Sequence, residues 1–152
     1  MNILVTVGTT SFNSLFEALD SCDIPDSIHI ECQIANGDYI PKQFPYFRFA
    51  DDFFDKLHNA DAIITHAGAG TVFHILETGK KSLVVANLER ADKHQMELAR
   101  FVELNDYALS VTSLQELGVK ILQLPDYSPK PYQKTEFFRA AELRDKILQR
   151  YR

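Results

Sequence analysis

Asp61-Ala-Ile-Ile-Thr-His-Ala-Gly-Ala-Gly-Thr-Val-Phe-His-Ile-Leu-Glu-Thr-Gly79 is the stretch whose reading decides the fold. Ala62 to Thr65 is a short apolar, β-branched run and reads as a buried strand. Ala67 to Gly70 is a small-residue turn, and Thr71 to Thr78 a helix closed by Gly79 as a left-handed cap. Small residues let a ligand approach the backbone, because no side chain stands in the way. The first amides of the following helix lack intrahelical partners and carry the positive end of its dipole. Such a turn suits a phosphate group, although an ordinary tight connection uses the same residues.

Working outward, the same alternation repeats. Residues 2–7, Ile28 to Ile34, Tyr46 to Phe49, Ser82 to Ala86 and Tyr107 to Val111 read as strands. Phe12 to Leu19, Asp51 to Asn59 and Lys93 to Leu104 read as helices, the last with Leu98, Phe101 and Val102 on one face. Ser113-Leu-Gln-Glu116 has the spacing of a capping box that opens a helix to about Leu122. A loop with Pro125, Pro129 and Pro131 precedes an amphipathic helix over 132–150, with Ala140, Leu143, Ile147 and Tyr151 on one stripe. Strands alternating with helices predict an α/β fold, a Rossmann-like parallel sheet with helices on both faces, as one domain over 1–152. Ligands of such sheets bind beyond the carboxyl ends of the strands. That directs attention to Gly8–Thr10, Ala50–Asp52, His66–Thr71 and Asn87–Gln95.

Composition narrows the function classes. The 152 residues are 45% hydrophobic and 24% charged, ordinary values for a domain with a real core. No apolar run approaches the roughly 20 residues of a membrane span. The opening Met1-Asn-Ile-Leu-Val5 lacks a signal peptide's basic flank and cleavage site, so a cytoplasmic location is expected. Cys22 and Cys32 make no disulfide framework; Cys32 reads as a small core residue and Cys22 as a turn residue. The net charge of -5 argues against nucleic acid as a partner. From Lys130 onward the chain is +4 and the remainder -9, so the terminal helix can dock on its own domain, a partner or an anionic surface, or simply be solvated.

The chemistry-bearing residues exclude several mechanisms. Gly68-Ala-Gly70 is only half of a dinucleotide fingerprint, and neither a phosphate-binding P-loop nor a nucleophile elbow is present. His29, His58, His66, His74 and His94 show no metal-ligand spacing, and Asp51-Asp52 suits a helix start better than a cation, so no metal and no cofactor are expected. His66, at a strand end beside the turn, can donate to a phosphate or an acceptor. Asp92 has the place of a helix N-cap, and His94 and Gln95 just after it are hydrogen-bonding groups suited to sugar hydroxyls.

These segments together resemble a known family. Thr65-His-Ala-Gly-Ala-Gly-Thr71, Gly79-Lys-Lys-Ser-Leu-Val-Val85 and Asp92-Lys-His-Gln95 are similar to the C-terminal, nucleotide-sugar-binding half of GT-B glycosyltransferases. Val5-Thr-Val-Gly-Thr-Thr10 and Phe49-Ala-Asp-Asp-Phe53 resemble the same group, over about residues 1–111 in all. The nearest branches are the small catalytic subunit of the asparagine-linked glycosylation UDP-GlcNAc transferase and the small subunit of bacterial two-component exopolysaccharide glycosyltransferases. The resemblance implies a single GT-B half-domain that binds a UDP-sugar donor, GlcNAc or another hexose, without metal. A membrane-associated subunit would bind the lipid-linked sugar acceptor and recruit this chain to the cytoplasmic face, with 132–150 as docking helix.

The resemblance assigns roles residue by residue. Backbone at Ala50 would meet uracil. Gly8, Thr9 and Thr10 would line the cleft floor. Ala67, Gly68, Ala69, Gly70 and Thr71 would hold the diphosphate, and His94 and Gln95 the donor sugar. The ribose-binding acidic residue of the family falls on His74 here, with Glu77 one turn on as a substitute. That departure favours the bacterial branch and keeps open a nucleotide-sugar-binding module without turnover; a stand-alone UDP-sugar hydrolase on the same half-fold and an interaction domain with a vestigial cleft are the other readings. His66 is the one candidate catalytic side chain; a general base is otherwise left to the partner.

Overall fold

The computed structural model describes residues 1–87, 89 and 94–134. Six strands run parallel in one sheet: β1 (Asn2–Thr6), β2 (His29–Gln33), β3 (Tyr46–Phe47), β4 (Ala62–His66), β5 (Lys81–Val85) and β6 (Leu109–Val111). The helices are α1 (Asn13–Asp20), α2 (Phe53–Asn59), α3 (Ala69–Thr78), α4 (His94–Leu104) and α5 (Leu117–Gln123). The strand order is β3-β2-β1-β4-β5-β6. The chain first builds outward from β1 through β2 to β3, then returns to β4 and builds the other way. The loops after β1 and β4 therefore diverge to opposite sides and leave a crevice at their carboxyl ends.

Each central strand is buried on both faces, and its side chains sort by the two-residue period. Ile3, Val5, Ile64, Leu83 and Val85 join Phe12, Leu15, Phe16 and Leu19 of the α1 segment and Leu117 and Ile121 of α5 in one cluster. Leu4 and Ile63 face the other way, against Leu57 of α2 and Ile75 of α3. Val84 meets Val72 and Leu76 of α3 and Ala99 and Val102 of α4. Helices thus cover both faces, as the alternation predicts.

Several boundaries differ from the sequence expectations. α3 begins at Ala69, so two residues of the small turn are already helical. Gly79 does cap it, at φ 68° and ψ 15°. α2 begins at Phe53, and its N-cap Asp52 makes no side-chain capping bond. The buried stripe of α4 is Gln95, Ala99 and Val102, while Phe101 is 40% exposed. The face predicted from Leu98, Phe101 and Val102 is therefore rotated toward Ala99, which packs in the cluster with Val84 and Ala108. Ser113 and Glu116 form no capping box: the Ser113 side chain caps nothing, and a 3-10 turn over Leu114–Glu116 leads into α5.

Tyr132 to Lys134 run without helix, against the expected start at 132, and most of the anticipated 132–150 helix lies outside the described residues. So does Asp92. The approach to that terminal segment is nonetheless pinned to the domain. Lys130 pairs with Asp106 at 2.8 Å and Lys134 with Glu77 at 2.8 Å. The Tyr132 ring lies 5.7 Å from Phe73 and 5.3 Å from Tyr107.

Cys32 is fully buried in β2, as expected of a core residue. Burial first, then the charges of Asp20 and Glu31, push its thiol up to about 12. Cys22 is only partly covered, at the end of α1. Only the thiolate reacts readily. A thiol-reactive chromophore at pH 8 is expected to label Cys22 in the folded protein and Cys32 only after unfolding. Equal native rates at both would contradict this packing.

Candidate functional site at the carboxyl edge of the sheet

The crevice is built from the loops after β1, β3, β4 and β5. After β1, the chain turns at once: Thr10 N–H donates to Val7 carbonyl at 3.1 Å, and Gly8 takes φ +60°. A Cβ built on Gly8 would lie 3.3 Å from His66 Cε1 and 3.7 Å from Thr71 Oγ1. The Gly8 turn and the β4–α3 turn therefore face each other across the switch point. His66 is the last residue of β4 and only 7% exposed. Its ring covers Gly68, where a Cβ would stand 2.8 Å from Cε1 and closer still to Nε2. Gly68 is a glycine here because of the imidazole.

The N-terminus of α3 opens into this crevice. Gly68 is its N-cap, no side chain caps it, and its first turn has no carboxylate. The amides of Ala69, Gly70 and Thr71 precede the first intrahelical acceptor, the Gly68 carbonyl that receives Val72 N–H at 3.0 Å. Among the described residues nothing lies within 4 Å of a Cβ placed on Gly70. The contrast with α1 is informative: there the Glu89 carboxylate accepts Ser14 N–H at 3.1 Å and supplies the negative charge from within the chain. At α3 no described side chain supplies such a charge.

A groove of about 490 Å3 continues from Ala67, Gly68 and Ala69 past Phe73 to His94 and Gln95 on α4. His94 is exposed and approaches Glu97 at 3.4 Å. Gln95 is 8% exposed, and its Oε1 accepts Asn87 N–H at 3.0 Å. Part of the predicted sugar-binding role of Gln95 is therefore taken up in holding the β5 end.

On the other side of the crevice, Ala50 is half-buried after β3, and its carbonyl accepts Phe53 N–H at 3.3 Å. His74 is exposed on α3, edge-on to Phe54 of α2 with centroids 5.4 Å apart. Glu77, the expected substitute for a ribose-binding acid, is instead paired with Lys134. Thr9 is exposed and Thr10 half-buried in the Gly8 turn.

Of two further residues that shape this site, Gln33 escaped the sequence reading, and Asn87 was marked only as the start of a segment at the ligand edge. Gln33, at the end of β2, bonds to Thr6, Val7, Gly8 and Arg48. Asn87, at the end of β5, has its Nδ2 3.5 Å from the Ser11 carbonyl and accepts Glu89 N–H. Their signal is a polar residue where an apolar strand should still be buried.

A second groove of about 470 Å3 is lined by Asn2, His29, Asn59 and Ala60, toward the amino ends of the strands. It lies at the wrong edge for this class of sheet. Its one ammonium, Lys56, is engaged by Glu31 at 3.1 Å and stands 4.9 Å over the Phe47 ring. Among the described residues no cluster of three or more His, Cys, Asp or Glu could hold a metal ion, and no helix is long and apolar enough to cross a membrane.

Comparison with known proteins agrees with this architecture. The UDP-N-acetylglucosamine transferase subunit ALG13 of Mus musculus is 38% identical over 109 residues, 63% of this chain and 9% of that protein. Its Homo sapiens counterpart is 34% identical over 111 residues, 64% and 10% of the two. The chain thus spans about a tenth of these relatives. Among solved structures, Acinetobacter baumannii MurG superposes with TM-score 0.63 at 23% identity, over 82% of this chain and 41% of that one. The solution structure of ALG13 superposes with TM-score 0.56 at 16% identity, over 93% of each chain. These two structural likenesses show the fold. The family model described as the glycosyltransferase family 28 C-terminal domain matches residues 2–147, and the chain belongs to that family.

Proposed function

We propose that this chain is the donor-binding catalytic subunit of a UDP-sugar-dependent glycosyltransferase, acting with a membrane-associated subunit on a lipid-linked sugar acceptor. The observation that carries this is the N-terminus of α3, uncapped by any side chain, facing Gly8 at the switch point of the sheet. The names of the relatives, subunits of a UDP-N-acetylglucosamine transferase, support GlcNAc as donor sugar and a multi-subunit enzyme. The His74 departure leaves assembly of a bacterial polysaccharide as the alternative setting. The cytoplasmic face of a membrane is the place where such an acceptor and a UDP-sugar meet.

The chemistry of this reading is a displacement at the donor's anomeric carbon. An acceptor hydroxyl attacks the anomeric carbon from the face opposite the diphosphate, which inverts that centre. The bond from this carbon to the β-phosphate oxygen breaks, and its electron pair leaves with UDP. Fixed amide dipoles of Ala69, Gly70 and Thr71 aim at the oxygen on which charge develops, so no reorganisation is needed as it forms. His66 is too enclosed to reach far; its ring shapes the Gly68 turn and its edge borders the phosphate position. The acceptor proton goes to a base supplied with the acceptor by the partner.

His74→Ala is expected to weaken uridine binding about fivefold, the loss of one ordinary hydrogen bond to ribose, and to spare pyrophosphate. Calorimetry of each ligand checks this, and an equal loss of both would remove the ribose role of His74. The reading as a whole is tested by adding membranes of the source cell and radiolabelled UDP-sugars. Label passing into the lipid fraction supports it. UDP released without lipid acceptor indicates a hydrolase, and nucleotide bound with no turnover on any membrane indicates a binding module.

A further inference from the structure

Gln33 contributes no atom to the assigned ligand positions, yet its side chain joins two of the loops that do. It is 2% exposed at the carboxyl end of β2. Its Oε1 accepts Thr6 Oγ1–H at 2.7 Å and Val7 N–H at 3.1 Å. Its Nε2 donates to the Gly8 carbonyl at 2.8 Å and the Arg48 carbonyl at 2.8 Å. Two partners are acceptors only and one is a backbone donor, so the amide has one orientation. Both its donors and both its acceptor directions are used.

The consequence is a rigid bridge. Thr6 Oγ1 also accepts Gly8 N–H at 3.2 Å, so both backbone groups of Gly8 are fixed while it holds φ +60°. On the other side, Arg48 is held through its carbonyl by Gln33 and through Nη1 by the Ala35 and Gly37 carbonyls, both at 3.0 Å. Arg48 leads within two residues to Ala50. One buried amide therefore sets the spacing between the Gly8 turn and the Ala50 loop.

We propose that Gln33 is a positioning residue that couples the base-binding and phosphate-binding halves of the nucleotide site, so that a displacement of one loop is carried to the other. This rests on the nucleotide-site reading of the preceding section. Coupling of this kind arises when two sites bias one shared element, here the Gln33-centred bridge. Apolar replacement leaves Val7 N–H and two carbonyls to find other partners, and each loop then relaxes separately.

The test is an amide NMR titration with uridine, pyrophosphate and UDP, on wild type and on Gln33→Met. In wild type, uridine alone is expected to shift Gly8 to Thr10 as well as Ala50. In Gln33→Met, uridine shifts Ala50 only, and the UDP dissociation constant rises about tenfold. Gln33→Glu keeps the volume and the bonds from Thr6 and Val7 but opposes two carbonyls with oxygen. It is expected to behave as Gln33→Met and serves if that variant does not fold. Uridine leaving Gly8 to Thr10 of the wild type unmoved overturns the coupling, as does unchanged UDP affinity in a folded variant. If UDP itself shifts neither loop of the wild type, the nucleotide-site reading fails instead.

Discussion

Gly70→Val is expected to cost UDP affinity about a hundredfold or more while leaving the fold intact. The second residue of α3 is glycine although none of the described residues requires it: none of their atoms lies within 4 Å of a Cβ there. In a helix, valine is better than glycine by a few tenths of a kcal/mol, so stability should hold or rise slightly. Side chains on a helix lean toward its N-terminus. A branched side chain at this position therefore overhangs the amides of Ala69 to Thr71, where phosphate oxygens must come. Two charge-assisted hydrogen bonds lost at roughly 1.5–3 kcal/mol each correspond to a loss of that size. Gly70→Ala should fall between. Calorimetry with UDP and pyrophosphate, beside a thermal melt, separates site from fold. Unchanged affinity in Gly70→Val would show that the α3 terminus is not the phosphate site.

Gly68→Ala is expected to act through the fold. Here the added methyl meets the imidazole of His66, which is buried between Gly68 and Gly8. Overpacking of this kind costs about 1–3 kcal/mol. The backbone at Gly68, φ -84° and ψ 119°, is open to any residue, so conformational strain adds nothing. The prediction is therefore specific to one pair of groups. In a His66→Ala background, Gly68→Ala should be nearly harmless, with a coupling of about 1–2 kcal/mol in a double-mutant cycle of urea unfolding. Additive costs would mean that the ring does not cover the turn.

The fold was largely legible in the sequence because its strands are short, apolar and separated by punctuating turns. Asp61 to Gly79 alone holds a strand, a turn and a capped helix, and the same unit recurs along the chain. Errors fell where tertiary packing overrides local pattern. Phe101 fits the helical period of α4, but the buried face of that helix is Gln95, Ala99 and Val102, and Phe101 is left 40% exposed. Ser113 and Glu116 carry the capping-box spacing, yet a 3-10 turn satisfies the backbone there through Glu116 N–H and the Ser113 carbonyl.

The loops of the candidate site were legible in outline for a different reason. Glycines at Gly8, Gly68 and Gly70 advertise close approach, and two of them prove to be tied to a particular neighbour or conformation. The residue that joins two of those loops was not legible. Gln33 acts through contacts far apart in sequence, so nothing local marks it except its polarity in an apolar strand. Glu77 was plausible from its spacing alone and is committed elsewhere by Lys134, a partner that only the folded chain brings near.

The central claim is that a uridine diphosphate binds without metal at the carboxyl edge between β1 and β4. Amide NMR of the chain titrated with UDP in EDTA, with CMP as control, tests it most directly. The account predicts UDP-selective shifts at Gly8, Ala50, Gly68 to Thr71 and His74, with the amino edge around Asn2 and His29 unmoved. Equal shifts with CMP, or shifts confined to the amino edge, would contradict it.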